Sequence, residues 1–409
     1  MALDPEELKK RRETRKKQKK KRLILLLILA SSVLLAAGVL IFLLVRHRNK
    51  PIPDPSQAVN KTVIHLAAAG DLNVTEAVVA AGGIDYDYTE AFMDVLPLLS
   101  EADITMLNFE GNLYGEPYGV DRSAPQSMMT ALKRAGVDLL QLANSYPIYP
   151  GMDGLSKTIH GVRMAGMEPL GVYATGQEAK AKKGFTLRTV QGVKIAFVAF
   201  TKGMDGMALP AGNEGCVNVL YSDYSTDYQK VDTAGIDRIL SAIRKEEPDI
   251  TVALLHWGSE FNDNVSSTQE EISKLLQAGG VDVILGSHSH YVQKMTLDPK
   301  TGNFVAWSLG DFFGDAARAG SEYSVILDLE ITRDNDTGNT RVTNFSYTPI
   351  FTVHEEDKPL RVVRIHEAMT AYDLGYIQRV SETTYNAMSY ALERIDVRIN
   401  GPKKEESKQ

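Results

Sequence analysis

Residues 281–290 read VDVILGSHSH, a short apolar run that leads into two histidines two positions apart. A run of this length that ends at a glycine is typical of a buried strand followed by a turn. Side chains at alternate positions of an extended segment point the same way, so His288 and His290 can reach a common metal pair. The stretch therefore predicts a strand end that carries ligands.

Similar apolar runs occur on both sides of this stretch and alternate with helical patterns. The predicted strands lie at residues 63–69, 104–107, 139–143, 195–200, 250–255, 281–285 and 304–308. The predicted helices lie between them, at residues 88–99, 126–135, 236–245 and 268–278. Strands at 323–331 and 341–348 and a helical stretch at 367–395 follow. This alternation predicts an α/β domain with buried sheets.

Polar side chains follow the buried runs, at the place where α/β folds build their sites. These are Asp71, Glu110, Asn144, His256 and the histidine pair described above. Each alone has an ordinary structural explanation, such as a turn, a helix cap or a partner for backbone groups. Together, Asp, Glu, Asn and three His match the mixed oxygen and nitrogen ligation favoured by manganese, iron or zinc.

The N-terminal part of the chain predicts a membrane anchor. Residues 23–45 contain no charged side chain, and this length is sufficient to cross a bilayer. Eleven Lys and Arg precede the run and three follow it at once, which predicts a cytoplasmic N-terminus and an extracellular main domain. A cleaved signal peptide is the alternative, but its apolar region is usually about 7 to 15 residues long. Residues 46–60 form a proline-rich linker.

The charge and cysteine content exclude some classes of function. From residue 51 onward the chain has 31 basic and 48 acidic residues, which argues against a broad polyanion-binding surface and against nucleic acid as a partner. A local cationic or metal-filled cleft can still hold an anionic ligand. Cys216 is the sole cysteine, so no intramolecular disulfide can form, and a bacterial cell surface fits better than a secreted eukaryotic domain.

The order of these motifs resembles the capsule-synthesis CapA family of the metallophosphoesterase superfamily, whose members include the poly-γ-glutamate synthesis component PgsA. The family pattern is Gly-Asp, Asn-x-Glu, Ala-Asn-Asn-His, His-Trp-Gly-x-Glu, Gly-x-His-x-His and Ser-Leu-Gly-Asn-Phe. This chain has, in that order, Gly70-Asp71, Asn108-Phe109-Glu110, Ala143-Asn144-Ser145-Tyr146, His256-Trp257-Gly258-Ser259-Glu260, Gly286-Ser287-His288-Ser289-His290 and Ser308-Leu309-Gly310-Asp311-Phe312.

The resemblance implies a four-layer α-β-β-α metallophosphoesterase-like sandwich behind a single N-terminal transmembrane helix. The expected segments are a basic tail at 1–22, the anchor at 23–45, the linker at 46–60, the main domain at 61–355, a helical segment at 356–400 and a tail at 401–409. The implied metal ligands are Asp71, Glu110, Asn144, His256 and His288, with Glu110 bridging two ions. Candidate catalytic residues are His290, Tyr146 and Glu260.

The chain departs from the family pattern at positions that affect its chemistry. Tyr146 stands where the family motif ends in His, and tyrosine, with a pKa near 10, is a poor acid or base at neutral pH. Asp311 stands where Asn is usual. Asn73 occupies the place where phosphoesterases proper have a His, which leaves open a site that is incomplete or holds one ion, as an alternative to the two-ion site that the resemblance implies.

Three functions are compatible with these residues. The first is an anchored subunit of a complex in the bacterial membrane that makes or exports an anionic polymer, with the polymer chain and other membrane subunits as partners. The second is a free-standing metal-dependent hydrolase of phosphoesters or γ-glutamyl amides at the envelope. The third is a non-catalytic binding or scaffold module that keeps the fold.

Overall fold

The computed structural model of the protein describes residues 60–376 and 380–401. The predicted basic tail and membrane anchor, and most of the predicted linker and C-terminal tail, lie outside the described residues. Among the helices that the structure describes, none is both long enough and apolar enough to cross a membrane.

Within the described residues the strands form two sheets, one of eight strands and one of six. In chain order the strands are β1 (Lys61–Asn73), β2 (Ile104–Glu110), β3 (Leu139–Gln141), β4 (Glu168–Leu170), β5 (Thr186–Val190), β6 (Val193–Thr201), β7 (Ile250–His256), β8 (Val283–Ser287), β9 (Met295–Leu297), β10 (Phe304–Ala306), β11 (Asp311–Phe313), β12 (Tyr323–Asp334), β13 (Thr340–Val353) and β14 (Arg361–Arg364).

The sheet topology brings the ends of the motif-bearing strands together. The larger sheet has the order β14-β13-β12-β1-β2-β3-β4, with β11 also paired to β1, and the smaller has the order β5-β6-β7-β8-β10-β9. Strands β1 to β4 are parallel to one another, as are β6, β7, β8 and β10. Parallel neighbours place their carboxyl ends at one edge of a sheet, where α/β folds bind ligands.

Alternating side chains of β6 show how the layers pack. Ile195 and Phe197 are buried in the same cluster as the core of the larger sheet. The intervening Ala196, Val198 and Phe200 are buried in a second cluster with apolar helical residues. Since side chains of a strand alternate between its faces, one face of the smaller sheet packs on the larger sheet and the other packs on helices.

The helices complete a four-layer arrangement that fits the predicted α/β sandwich. They are α1 (Glu76–Ala80), α2 (Thr89–Phe92), α3 (Leu96–Ser100), α4 (Gln126–Arg134), α5 (Gly151–Met164), α6 (Gly176–Lys182), α7 (Thr233–Arg244), α8 (Ser267–Ala278), α9 (Ile365–Asp373) and α10 (Glu382–Asn400). Apolar side chains of α7 and α8 cover the smaller sheet, while those of α4, α5 and α10 join the core of the larger one.

Two regions predicted to be continuous helices are divided. The stretch predicted at 88–99 consists of α2, a 3-10 turn (Met93–Val95) and α3, in which Pro97 lies in the first turn and donates no backbone hydrogen bond. The stretch predicted at 367–395 consists of α9 and α10, with Gly375 in a left-handed conformation (φ 91°) just after α9. The main domain was predicted to end at residue 355. Strand β14 follows that residue and pairs with β13, which precedes it.

Gly70 has a packing role that the sequence alone did not indicate. Instead of forming a turn, it lies inside β1, which continues to Asn73. A Cβ at this position would lie 1.8 Å from the carbonyl oxygen of Gly310, so only glycine lets the two backbones approach. The same approach allows the Asp71 amide to donate to that oxygen at 2.9 Å, which fixes Asp71 beside β11.

Candidate metal centre

The predicted ligand side chains meet at the shared edge of the two sheets. In the larger sheet Asp71 is in register with Asn108 on one side and Asp311 on the other. In the smaller sheet His256 is in register with Ser287, so that His288 follows directly. All five side chains predicted to bind metal are buried, as is His290.

Glu110, His256 and His288 form a first group, which we call group A. One potential ligand atom from each lies within 4.8 Å of the others. Glu110 Oε1 is 3.3 Å from His256 Nδ1, and the two imidazole rings are 4.3 Å apart between centroids. Group A thus combines one carboxylate with two imidazoles, a donor set suited to zinc, iron or manganese.

Asp71, His290 and Asp311 form a second group, which we call group B, with the same mutual spacing. His290 Nδ1 lies 2.7 Å from Asp311 Oδ1 and 3.8 Å from Asp71 Oδ2. Sequence reasoning noted Asp311 only as a departure from the family pattern, although it contributes a carboxylate. Asn73 hydrogen-bonds Asp311, so the residue that replaces the expected histidine supports a neighbouring carboxylate.

Asn108 lies between the two groups, and sequence reasoning did not include it among the site residues. Its amide nitrogen donates to Asp71 Oδ1 at 2.7 Å and to Glu110 Oε1 at 3.2 Å. The signal was present in the sequence, because Asn108 and Glu110 are two positions apart on one strand and therefore share a face. The structure places Glu110 in group A and links it to Asp71 of group B through this amide.

Asn144 and Ser145 contact the centre from the end of β3. The amide nitrogen of Asn144 donates to Asn108 Oδ1 at 3.1 Å and to the Phe109 carbonyl at 2.7 Å, and its oxygen accepts from the Tyr146 amide at 3.0 Å. These contacts orient Asn108 and the backbone around it. Ser145 Oγ lies 3.0 Å from His256 Nε2, a contact that the sequence did not predict.

The remaining candidate residues lie around the centre. The Tyr146 hydroxyl is 3.2 Å from Arg122 Nη2, with the guanidinium carbon 4.5 Å from its ring centroid. Glu260 is exposed and lines a cavity of about 230 Å³ together with His288. Trp257, by contrast, is fully buried and stacks on Trp307, so its role is packing.

Both histidines of the Gly-x-His-x-His motif lie on strained backbone. His288 has φ 87° and His290 has φ 58°, values that non-glycine residues seldom adopt. The predicted extended segment therefore ends at Ser287, and the two imidazoles are directed to different groups. Strain of this kind persists where surrounding contacts determine it, here the bond from the His288 amide to Asp71 Oδ2 at 3.0 Å.

Burial and mutual repulsion shift the titration of the carboxyl groups. Burial, with the nearby charge of Asp71, raises the pKa of Glu110 to about 8, and burial raises that of Asp71 to about 6. Burial by itself lowers the pKa of His290, but the neighbouring carboxylates of Asp311, Glu110 and Asp71 together outweigh it and raise the pKa to about 10. Burial also holds the pKa of His256 and His288 well below the usual range, so both imidazoles are neutral.

These residues fit a divalent cation. His288 Nδ1 is buried and has no hydrogen-bond partner among the described residues, and a neutral imidazole in that position offers a free lone pair. Three buried carboxyl groups adjoin a single imidazole with a raised pKa, so a cation would compensate their charge. Both groups therefore have the donor types and spacing of metal subsites.

Metal affinity should rise steeply between pH 6 and pH 8. Below a pKa of about 8 for Glu110 and about 6 for Asp71, a cation must displace protons from these carboxyl groups, and above those values it need not. In group B it must also displace the proton of His290, whose pKa of about 10 lies above this range, so affinity there continues to rise beyond pH 8. We expect affinity for Mn²⁺ or Zn²⁺ to increase by roughly tenfold per pH unit for each displaced proton. Titration calorimetry at several pH values measures this, and Glu110→Gln should flatten the upper part of the profile. An affinity that is constant over this range in the parent chain would contradict the assignment.

The metal centre lies within the part of the chain that matches a known protein family. A profile described as bacterial capsule synthesis protein PGA_cap matches residues 65–316, which include every residue of groups A and B. Capsule biosynthesis protein CapA of Bacillus anthracis is 26% identical over 264 residues, covering 62% of this chain and 60% of that protein. PGA biosynthesis protein CapA of Bacillus subtilis (strain 168) is 24% identical over 258 residues, covering 62% and 63%. These matches confirm the predicted resemblance to the CapA family.

The chain spans about three-fifths of the length of these curated relatives. Among solved structures, it is similar to the calcineurin-like phosphoesterase YfkN from Bacillus subtilis, with 15% identity and a TM-score of 0.44, covering 81% of this chain and 99% of that one.

Proposed function

We propose, from the premise that this chain belongs to the bacterial capsule synthesis protein family PGA_cap, that it acts in making or exporting an anionic cell-surface polymer. Poly-γ-glutamate is the polymer that we propose, because a curated relative carries the description PGA biosynthesis protein. The α/β sandwich would bind or process the emerging chain at its metal centre.

The observation that carries this proposal is the pair of buried ligand groups within the family match. A divalent cation in group A or B would attract the carboxylate or amide oxygen of a polymer unit and polarise it. Asn108 holds Asp71 and Glu110 in fixed positions, and Ser145 fixes one imidazole nitrogen of His256. The chain's own residues thus maintain a rigid, mostly negative pocket that takes up cations and, through them, anions.

Membrane anchoring is part of the proposal. It is supported by the charge-free apolar run at residues 23–45 and by the excess of Lys and Arg before it. An anchored sandwich on the outer side would meet the polymer as it leaves the membrane, beside other membrane subunits of a synthase or export complex. The acidic balance of the outer region would keep it from binding polyanions elsewhere on its surface.

A second candidate function is a binding or scaffold module without turnover. Tyr146 favours it: burial raises the pKa of its phenol above the usual range, so the group keeps its proton at neutral pH and does not act as a base. In this case the metal centre would hold the polymer, and other subunits would perform the chemistry.

Deleting the gene and measuring cell-bound poly-γ-glutamate, by acid hydrolysis and amino-acid analysis, tests the proposal. We expect the deletion to remove most of the cell-bound polymer and the parent gene to restore it. The double variant His256→Ala, His288→Ala should fail to restore it, because group A is lost. Unchanged polymer in the deletion strain would contradict the proposed function. Full restoration by the double variant would show that polymer production does not depend on the metal centre.

A further inference from the structure

Two cavities lie next to each other, the first is bordered by His288 of group A, and each is lined by one Lys or Arg. The first, of about 230 Å³, is lined by Ser145, Lys202 and His288. The second, of about 320 Å³, is lined by Arg122 and Tyr146. Asp205 lines both cavities, so they adjoin each other at that residue. A ligand in contact with His288 in the first cavity can therefore extend past Asp205 into the second.

Arg122 is presented by a turn with strained backbone. Asp121 (φ 49°, ψ 35°) and Arg122 (φ 61°) are two consecutive non-glycine residues in the left-handed region. Such strain persists only where other contacts determine it, and it is concentrated at functional sites. Here buried Asn112, two positions after Glu110, holds the turn by donating from its side chain to the Asp121 carbonyl at 2.7 Å and from its backbone to the Arg122 carbonyl at 2.8 Å.

The contacts of the Arg122 guanidinium leave it available for an anion. It lies against the Tyr146 ring, and its nitrogens donate to the Tyr146 hydroxyl at 3.2 Å and, weakly, to the Val74 carbonyl at 3.5 Å. No carboxylate of the described residues is within ion-pair distance of it. A planar guanidinium stacked on an aromatic ring keeps its other donors for bidentate binding of a carboxylate or phosphate.

Lys202 is the basic residue of the first cavity. Its ammonium group donates to the Gly258 carbonyl at 2.9 Å and lies 4.9 Å from the Tyr228 ring centroid. Like Arg122, it has no ion-pair partner within 4.0 Å among the described residues. Residue 202 directly follows β6, whose neighbour β7 ends at His256, so the lysine is fixed at the same sheet edge.

The acidic residues of the two cavities do not neutralise these cations. The cavities are lined by four exposed carboxylates, whereas Arg122 and Lys202 are half-buried; the carboxylates are Glu76, Asp121, Asp205 and Glu260. Exposed carboxylates are well solvated and screened by salt, so they oppose an anionic ligand weakly. Half-buried cations attract it more strongly because the local dielectric constant is lower.

We propose that Arg122 and Lys202 bind an anionic ligand, one in each of the two adjoining cavities. This inference rests on the proposed function and makes it more specific: the ligand is a chain with repeated anionic groups, long enough to occupy both cavities, and not a single small anion. Carboxylate and phosphate chains share the chemistry that the two cations recognise, and the experiment distinguishes them.

Binding by the full-length, metal-loaded chain tests this inference. The probes are poly-γ-glutamate oligomers, inorganic polyphosphate oligomers and free glutamate, and the readout is Kd by titration calorimetry. The variants are Arg122→Gln and Lys202→Gln, with Arg122→Lys as a milder change. Exposed Lys300, in the turn before β10, gives the matched control Lys300→Gln, which removes the same charge elsewhere. Bound metal and the melting temperature are measured for each protein to show that the centre and the fold persist.

We expect the parent to bind one of the two oligomers far more tightly than free glutamate. Each Gln variant should weaken that binding by about tenfold, the effect of one lost charge-assisted contact. Arg122→Lys should weaken it less, and Lys300→Gln should leave it unchanged, with the metal content equal in all. Tighter binding of poly-γ-glutamate than of polyphosphate identifies carboxylates as the ligand groups, and the reverse identifies phosphates.

The failures of the two proposals can be separated. A parent that binds an oligomer while both Gln variants bind it equally well would overturn this inference and leave the proposed function standing. Free glutamate bound as tightly as an oligomer would likewise overturn it. A parent that binds neither oligomer would overturn the proposed function and this inference together.

Discussion

Full-length protein prepared in chelator-free buffer should hold up to two transition-metal ions per chain, and the double variant His256→Ala, His288→Ala should lose the ion of group A. Removing both imidazoles leaves Glu110 as the one ligand of that group. We expect affinity at that subsite to fall by at least about 100-fold, more than the loss usually caused by removing a supporting residue. Inductively coupled plasma mass spectrometry measures the metal per chain.

The two groups allow a matched design for this measurement. Asp311→Asn should weaken group B and spare group A, because Asp311 belongs only to the former. Two exposed histidines give the control variant His160→Ala, His366→Ala, which removes the same number of imidazoles and should keep the metal. If the parent stays free of metal even after reloading with manganese or zinc, the assignment of both groups and the hydrolase alternative are wrong.

Tyr146→His should raise the rate at which the metal-loaded chain hydrolyses a model phosphodiester such as bis(p-nitrophenyl) phosphate. The phenol hydroxyl faces Arg122 beside the centre, and its raised pKa keeps it protonated. An imidazole in the same place exchanges protons near neutral pH and, next to a guanidinium, favours its neutral form. General acid–base catalysis contributes at least about 100-fold in such reactions, and we expect an increase of that order in kcat.

Tyr149→His is the control for this prediction, because Tyr149 is an exposed neighbour whose ring centroid lies 5.9 Å from that of Tyr146. It should leave the rate unchanged, and metal content should be equal in all three proteins. A parent chain that already hydrolyses the ester rapidly would show that Tyr146 does not limit turnover. If Tyr146→His remains silent with its metal bound, the centre lacks more than a proton donor, and the binding module becomes the better description.

The sequence was sufficient to locate the motif-bearing strands except β11, and the residues at their ends. Buried strands leave a period-two or continuous apolar pattern, and β1, β2, β6, β7 and β8 all appear close to their predicted positions. Some short strands escaped prediction. Strands β4, β9 and β11 have three residues each and lie outside the predicted apolar runs, whereas the equally short β3 and β10 lie within such runs.

The grouping of the site residues could not be predicted from the sequence. It suggested one set of ligands bridged by Glu110, whereas the structure divides them into two groups linked through Asn108. Asp311 belongs to group B because β11 pairs with β1 beside Gly70. The paired residues Asp71 and Asp311 are 240 positions apart in the chain. Arg122 reaches Tyr146 through a strained turn whose shape depends on buried Asn112.

The sequence by itself determined which residue types stand near the ends of buried strands, because local apolar runs mark where the strands lie. Glycines did not mark the ends, since β1 continues through Gly70 and β8 through Gly286. Only the tertiary structure decided which of these side chains face one another, which are neutral or charged, and which cations flank them. The physical reason is that register, burial and electrostatic coupling arise between segments distant in the chain. Asp71 and the His288 amide, 217 residues apart, meet only once both sheets have formed.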